Sequence, residues 1–77
     1  MRTTARDPLP AVGESVSEYE TVLDGARKLA ALGVEAVPIC GEDRRILGSL
    51  SRQDVVRIVA ERRDPDAIRL GAWLVSA

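Results

Sequence analysis

Apolar positions recur with two different periods along this chain, and the change from one to the other divides it into alternating strands and helices. Val22, Ala26, Leu29 and Ala30 fall at i, i+4, i+7 and i+8, the spacing that gathers side chains on one face of an α-helix. Thr21 precedes them as an N-cap with Asp24 three residues on, and Gly33 stands where a helix ends in a left-handed residue. Asp24 and Lys28 add an i,i+4 pair in the more favourable order. Gly25, inside this helix, costs about 1 kcal/mol relative to alanine, which makes a close approach by a neighbouring element the expected reason for it.

Beyond Gly33 the period shortens. Residues 34–40, Val34 to Cys40, are too few for a second helix and rich in branched side chains, so they predict a strand. Pro38 within it donates no ladder hydrogen bond and belongs where a strand leaves the sheet, bulges or faces a ligand. Gly41, Glu42, Asp43 and Arg44 read as a turn, and residues 45–50 return as the second arm of a hairpin, with Gly48 leaving room for a neighbour. A second helix is predicted over residues 52–62, with Val55, Ile58 and Val59 inside and Gln53, Arg57 and Glu61 outside, ending at Arg63-Asp64-Pro65. Weak alternation around Glu14-Ser15-Val16-Ser17 suggests a first strand. The end of the chain from Asp66 is apolar, and Trp73, the largest side chain in a chain without phenylalanine, is expected to dock.

The fold class this predicts is α/β (α+β), in the order β-α-β-β-α, a three-stranded sheet with two helices on one face and a right-handed first crossover. A single domain is expected over residues 12–77, behind an extended N-terminal tail over residues 1–11 that carries Asp7-Pro8-Leu9-Pro10. Helices on one face leave the other face of the sheet open to a partner.

Composition narrows the chemistry. At 77 residues, 45% hydrophobic and 30% charged, the chain can bury a small core and is unlike a disordered polypeptide. A formal net charge of −1 gives no overall attraction to nucleic acid or anionic membrane. Cys40 is the single cysteine and histidine is absent, which removes disulfide frameworks, Cys/His zinc sites, and Ser-His-Asp or Cys-His catalysis. With neither a Gly-rich phosphate loop nor a metal cluster, an enzyme is not expected. No apolar run approaches the roughly 18 residues of a membrane helix and the start lacks a secretory core, so the expected location is cytoplasmic.

The remaining candidate is Gly48-Ser49-Leu50-Ser51-Arg52-Gln53-Asp54, where a strand runs into a helix with Ser51 at the N-cap and Asp54 three residues on. Free N–H groups and the positive end of the helix dipole favour an anion in front of such a terminus. The plainer reading is a capping box that satisfies only its own first turn.

Three short stretches, in order, resemble a single cystathionine-β-synthase (CBS) domain motif, half of a tandem Bateman module. They are Thr21-Val22-Leu23-Asp24-Gly25-Ala26 opening the first helix, Gly33-Val34-Glu35-Ala36-Val37-Pro38-Ile39, and the Gly48 to Asp54 stretch, in which Ser49 replaces a usual apolar residue. The resemblance spans about residues 12–74. It implies that Asp54 holds the ribose hydroxyls of an adenine nucleotide, that Ser51 meets phosphate with Arg52 adding charge, and that Val16 and the Ala36, Val37 and Pro38 segment wall the adenine. AMP, ATP or S-adenosylmethionine is the implied ligand, with no cofactor required, in a regulatory module whose signal passes to a partner protein. The family's site lies between two repeats packed sheet to sheet, so a chain with one repeat is expected to form a homodimer in which two copies supply the halves.

Two other readings compete. In one, Ser51 and Asp54 are caps only and the open sheet makes a structural dimerisation or protein-interaction module without ligand. In the other, Ser51 to Arg57 is a DNA-recognition helix, since serine, arginine and glutamine at a helix start reach base edges. The balanced charge and the strand pair in front of that helix argue against nucleic acid.

Overall fold

The structure, a computed structural model, describes residues 12–76, with the side chain of Val12 left aside, so the tail expected over residues 1–11 lies outside the described residues. After a 3-10 turn at Val12–Glu14, the elements are β1 (Val16–Ser17), α1 (Val22–Leu32), β2 (Ala36–Cys40), β3 (Ile46–Ser51), α2 (Arg52–Ala60) and α3 (Leu70–Ser76). The sheet order is β1-β2-β3, with β1 parallel and β3 antiparallel to β2. This is the three-stranded unit with two helices on one face that the apolar pattern predicts, with one further helix at its end.

Both predicted caps form. Thr21 Oγ1 accepts from the Asp24 N–H at 3.1 Å while the Thr21 N–H donates to the Asp24 carboxylate at 3.0 Å, and Gly33 closes α1 at φ 67°. Gly25 explains itself: a Cβ there would lie 2.5 Å from Leu50 Cδ2, so α1 rests its backbone on β3. Leu50 is fully buried, as are Ile39 and Leu70, and Val16, Val22 and Val37 complete the centre of the core.

Register follows the alternation rule. Val37 opposes Leu50 on the helix side, while Ala36 opposes Ser51 and Pro38 opposes Ser49 on the outer side. Ile39 opposes Gly48 but Cys40 opposes Ile46, which leaves Leu47 as the extra residue of a β-bulge. The hairpin turn holds Asp43 and Arg44 at φ 66° and 60°, the paired positive φ that twists a tight hairpin correctly.

Three expectations need correction. Val59, expected on the inner stripe of α2, is 54% exposed, because Val55 and Ile58 already fill the contact that a nine-residue helix makes with the core. Ala30 is likewise exposed. The helix ends at Ala60 instead of residue 62, with Arg62 at φ 62° in the left-handed position that closes it.

The apolar C-terminal stretch becomes α3. Its entry is fixed by the Val22 N–H to Ile68 carbonyl bond at 2.9 Å and the Leu70 N–H to Glu20 carbonyl bond at 2.8 Å. Trp73 and Leu74 then pack on the core, Leu74 filling the space over Gly48, where a Cβ would meet its Cδ2 at 2.8 Å. Periodicity could not reveal this helix because its seven residues span only two turns.

Candidate functional site

The strand-to-helix junction at Ser51 is a polar corner. Ser51 is extended, at φ −104° and ψ 164°, and so leaves β3 and caps α2 in one step. Its Oγ accepts from the Asp54 N–H at 3.1 Å, its N–H donates to Asp54 Oδ2 at 2.9 Å, and its hydroxyl lies 2.9 Å from the same oxygen, to which it can donate. Asp54 Oδ1 faces Arg57 at 3.8 Å, a loose pair with Arg57 mostly in water.

Arg52, exposed as a residue, is nevertheless anchored. Its backbone N–H donates to the Glu35 carbonyl at 2.9 Å and its Nε donates to the Val34 carbonyl at 3.1 Å, leaving the two Nη groups of the guanidinium available. The anion-binding donors expected at this terminus are therefore largely engaged. Ser51, Arg52 and Asp54 have all committed their backbone N–H groups, and among the described residues Gln53 carries the first-turn N–H without a partner in the chain. An anion here would meet the Gln53 N–H, the Arg52 Nη groups, and the Ser51 hydroxyl once it turns from Asp54.

A hollow lined by Glu14, Leu32, Val34, Ala36 and Val37 adjoins this corner. The two share Val34, whose carbonyl receives Arg52, and Ala36, the register partner of Ser51. Sequence reasoning missed Glu14, Leu32 and Val34. Leu32 and Val34 flank the helix-closing Gly33, and no periodicity marks a residue that lines a surface between two elements.

The residues expected at the site divide by face. Ser51, Asp54, Arg52, Ala36 and Pro38 lie at the corner or on the outer side of the sheet leading to it. Val16 and Val37 turn their side chains into the core, at 2% and 1% exposure, because alternation sends them to the helix side. Val16 also pairs with Ile39, nearer the hairpin, and borders a different depression beside Ser15, Ser17 and Cys40.

The Thr21 and Asp24 pair at α1 provides an internal control, with the same reciprocal bonds in a different setting. Its hydrogen bonds from the Thr21 N–H and hydroxyl hold the Asp24 carboxyl below its ordinary value. Thr21 is 9% exposed and bridges Arg69, so the C-terminal segment lies against that cap, whereas Ser51 pairs with Ala36, which lines the hollow.

Comparison with known proteins places the chain. The CBS domain family profile matches residues 5–61. Hypoxic response protein 1 of Mycobacterium tuberculosis, in strains CDC 1551 / Oshkosh and ATCC 25618 / H37Rv, is 37% identical over 70 residues, covering 90% of this chain and 49% of the relative. This chain thus spans about half the length of those relatives. A crystal structure of Hypoxic Response Protein I with two coordinated zinc ions superposes with a TM-score of 0.73 at 37% identity, over 90% of this chain and 58% of the other. A CBS domain protein from Pyrobaculum aerophilum complexed with AMP superposes with a TM-score of 0.66 at 28% identity, over 77% of this chain and 48% of that one.

Among the described residues, zinc has no matching ligand set. The sequence holds no histidine and one cysteine, and among the described residues no three of His, Cys, Asp and Glu gather as metal ligands. No helix among the described residues is long and apolar enough to cross a membrane.

Proposed function

The chain belongs to the CBS-domain family, and from that premise we propose that it is a regulatory module that takes an adenine nucleotide or related adenosyl ligand at the Ser51 corner. The single observation that carries this is the junction of the corner with the Val34 and Ala36 hollow, which offers an apolar floor beside polar groups suited to a sugar and a phosphate. A relative of the same fold complexed with AMP supports the ligand class.

In this reading Asp54 offers Oδ1 to the ribose hydroxyls, since Oδ2 is already occupied by Ser51. Arg52 and the Gln53 N–H meet the phosphate. Ala36 and Pro38 flank the base, with Val37 and Val16 supporting the sheet from within. A second copy closes the cleft through the outer sheet face, where Ala36, Ser49 and Ile46 are exposed and Pro38 and Cys40 half-buried. The change on binding passes to a regulated partner protein, and neither catalysis nor a required cofactor forms part of the function. The proposed setting is cytoplasmic, where adenine nucleotides are abundant.

One observation favours a ligand-free pairing module instead: Ser51 and Asp54 already satisfy each other, as a pure cap would. Calorimetry with AMP, ATP and S-adenosylmethionine separates the two. The nucleotide reading expects saturable heat with at least one ligand and its loss in Asp54→Ala. Absence of heat with all three, together with an unchanged melting temperature, supports the pairing module.

A further inference from the structure

We propose that the crevice at the C-terminal ends of β1 and β2 binds a small free α-amino acid, with the ligand's carboxylate toward Arg44 and its ammonium toward Glu20. Neither the nucleotide nor a second copy is needed for it.

The crevice follows from topology. β1 and β2 run parallel, with Val16 beside Ile39 and Ser17 beside Cys40, and then part. β1 leaves through Glu18 and Thr21 for α1 in the helix layer, whereas β2 turns back through the hairpin into β3 in the same sheet. Diverging chain ends leave a gap beyond the carboxyl ends of neighbouring parallel strands, the place where open sheets take their ligands. Here the gap is a cavity of about 250 Å³ whose lining includes Ser15, Ser17, Glu20, Cys40 and Arg44. Its walls are braced. The Glu18 N–H donates to the Cys40 carbonyl at 2.9 Å and the Tyr19 hydroxyl donates to Glu42 Oε2 at 3.1 Å, so the two departing loops are tied together before any ligand arrives.

This cavity shares no lining residue with the hollow at the Ser51 corner. Cys40 stands at the opposite end of β2 from Ala36, about 13 Å along the strand. Size and charge select the ligand. The volume falls short of the roughly 300 to 1,000 Å³ of clefts that hold drug-sized molecules, which favours a ligand smaller than a nucleotide. Arg44 brings a planar fork of donors suited to a carboxylate, and Glu20 brings acceptors suited to an ammonium. Ser17 Oγ accepts from the Tyr19 N–H at 3.0 Å and keeps its hydroxyl hydrogen to donate, while Ser15 adds a second hydroxyl. Both charges on one small cavity match the two ends of a zwitterion. A simple anion would sit against the like charge of Glu20, and a simple amine against that of Arg44.

Amide chemical shifts of the isotopically labelled full chain, titrated with L-alanine, glycine and L-serine, test the site. Saturable movement of the Ser15, Ser17 and Gly41 amides is expected with a dissociation constant of about 1 mM, while Gln53 at the Ser51 corner stays still. N-acetyl-L-alanine, which lacks the ammonium, and L-alanine amide, which lacks the carboxylate, are each expected to bind about tenfold more weakly than L-alanine. Glu20→Gln should weaken L-alanine by about the same factor and leave N-acetyl-L-alanine no weaker. Arg44→Asn, which tolerates the left-handed backbone at φ 60°, should weaken L-alanine likewise and leave L-alanine amide no weaker. No saturable shift with any of the three amino acids overturns the site. Either blocked compound binding as tightly as L-alanine, or both variants binding L-alanine as the wild type does, overturns the recognition of a zwitterion.

Discussion

Ser51 and Asp54 hold each other by three contacts of 2.9 to 3.1 Å, so the corner proposed as the ligand site is also the cap of α2. Binding and stability draw on the same atoms. A ligand that takes the Ser51 hydroxyl removes a bond from the helix start, and its affinity is lowered by that exchange.

Ser51→Ala should therefore lower unfolding free energy by about 1 kcal/mol, as loss of a cap does, measured by urea denaturation. Thr21→Ala, the matching change at α1, should cost a similar amount. The two must differ in calorimetry: nucleotide affinity falls in Ser51→Ala and stays in Thr21→Ala. Equal retention of affinity in both would reduce the Ser51 corner to a cap.

Gly25→Ala tests the closest approach in the core. Helix propensity alone gains about 1 kcal/mol from this change. The new Cβ, however, would lie 2.5 Å from the tip of Leu50, which is fully buried and must shift within the core to admit it. A net loss of about 1 to 3 kcal/mol is expected, read as a lower urea midpoint. A stabilised variant would show that the Leu50 side chain yields to the new methyl at less cost than the helix gains.

Acid sensitivity follows from Asp24. Hydrogen bonds from Thr21 place its folded value below the ordinary 3.8, so the stabilisation is complete above 3.8 and is lost as pH falls through the folded value. The urea midpoint should decline in that acidic window, and Asp24→Asn should flatten the decline. An identical slope in the variant would assign it to other carboxylates.

Arg62 is held at φ 62°, where a side chain is strained and glycine is not. Arg62→Gly should raise stability by roughly 1 kcal/mol, less the entropy glycine adds to the unfolded chain. Thermal unfolding reads the sign, and a fall in melting temperature would mean that the arginine side chain outweighs its backbone strain.

Much of this architecture was legible because local rules and tertiary packing agree. Thr21 with Asp24 and Ser51 with Asp54 mark both helix starts, Gly33 marks one helix end, and the branched residues between Val34 and Cys40 mark β2. Gly25 and Gly48 each signalled a neighbour, and Leu50 and Leu74 are the neighbours. Ala30 and Val59 misled because an apolar residue at helical spacing does not reveal which other surface it serves. The polar corner could be placed from Ser51 and Asp54 alone, but the hollow at Val34 and Glu14 exists only once α1, β2 and the N-terminal turn meet. That the Arg52 N–H is engaged as well is likewise invisible before the loop at Glu35 is in place.

In the function proposed above, an adenine nucleotide sits between the Ser51 corner and the Ala36 hollow. Amide chemical shifts of the isotopically labelled chain during an AMP titration test it most directly. Saturable movement of the Gln53, Ser51 and Ala36 amides is expected, with the Asp24 amide at the α1 cap unmoved. Saturation with those three resonances still, or with Asp24 moving as much as Gln53, would contradict it.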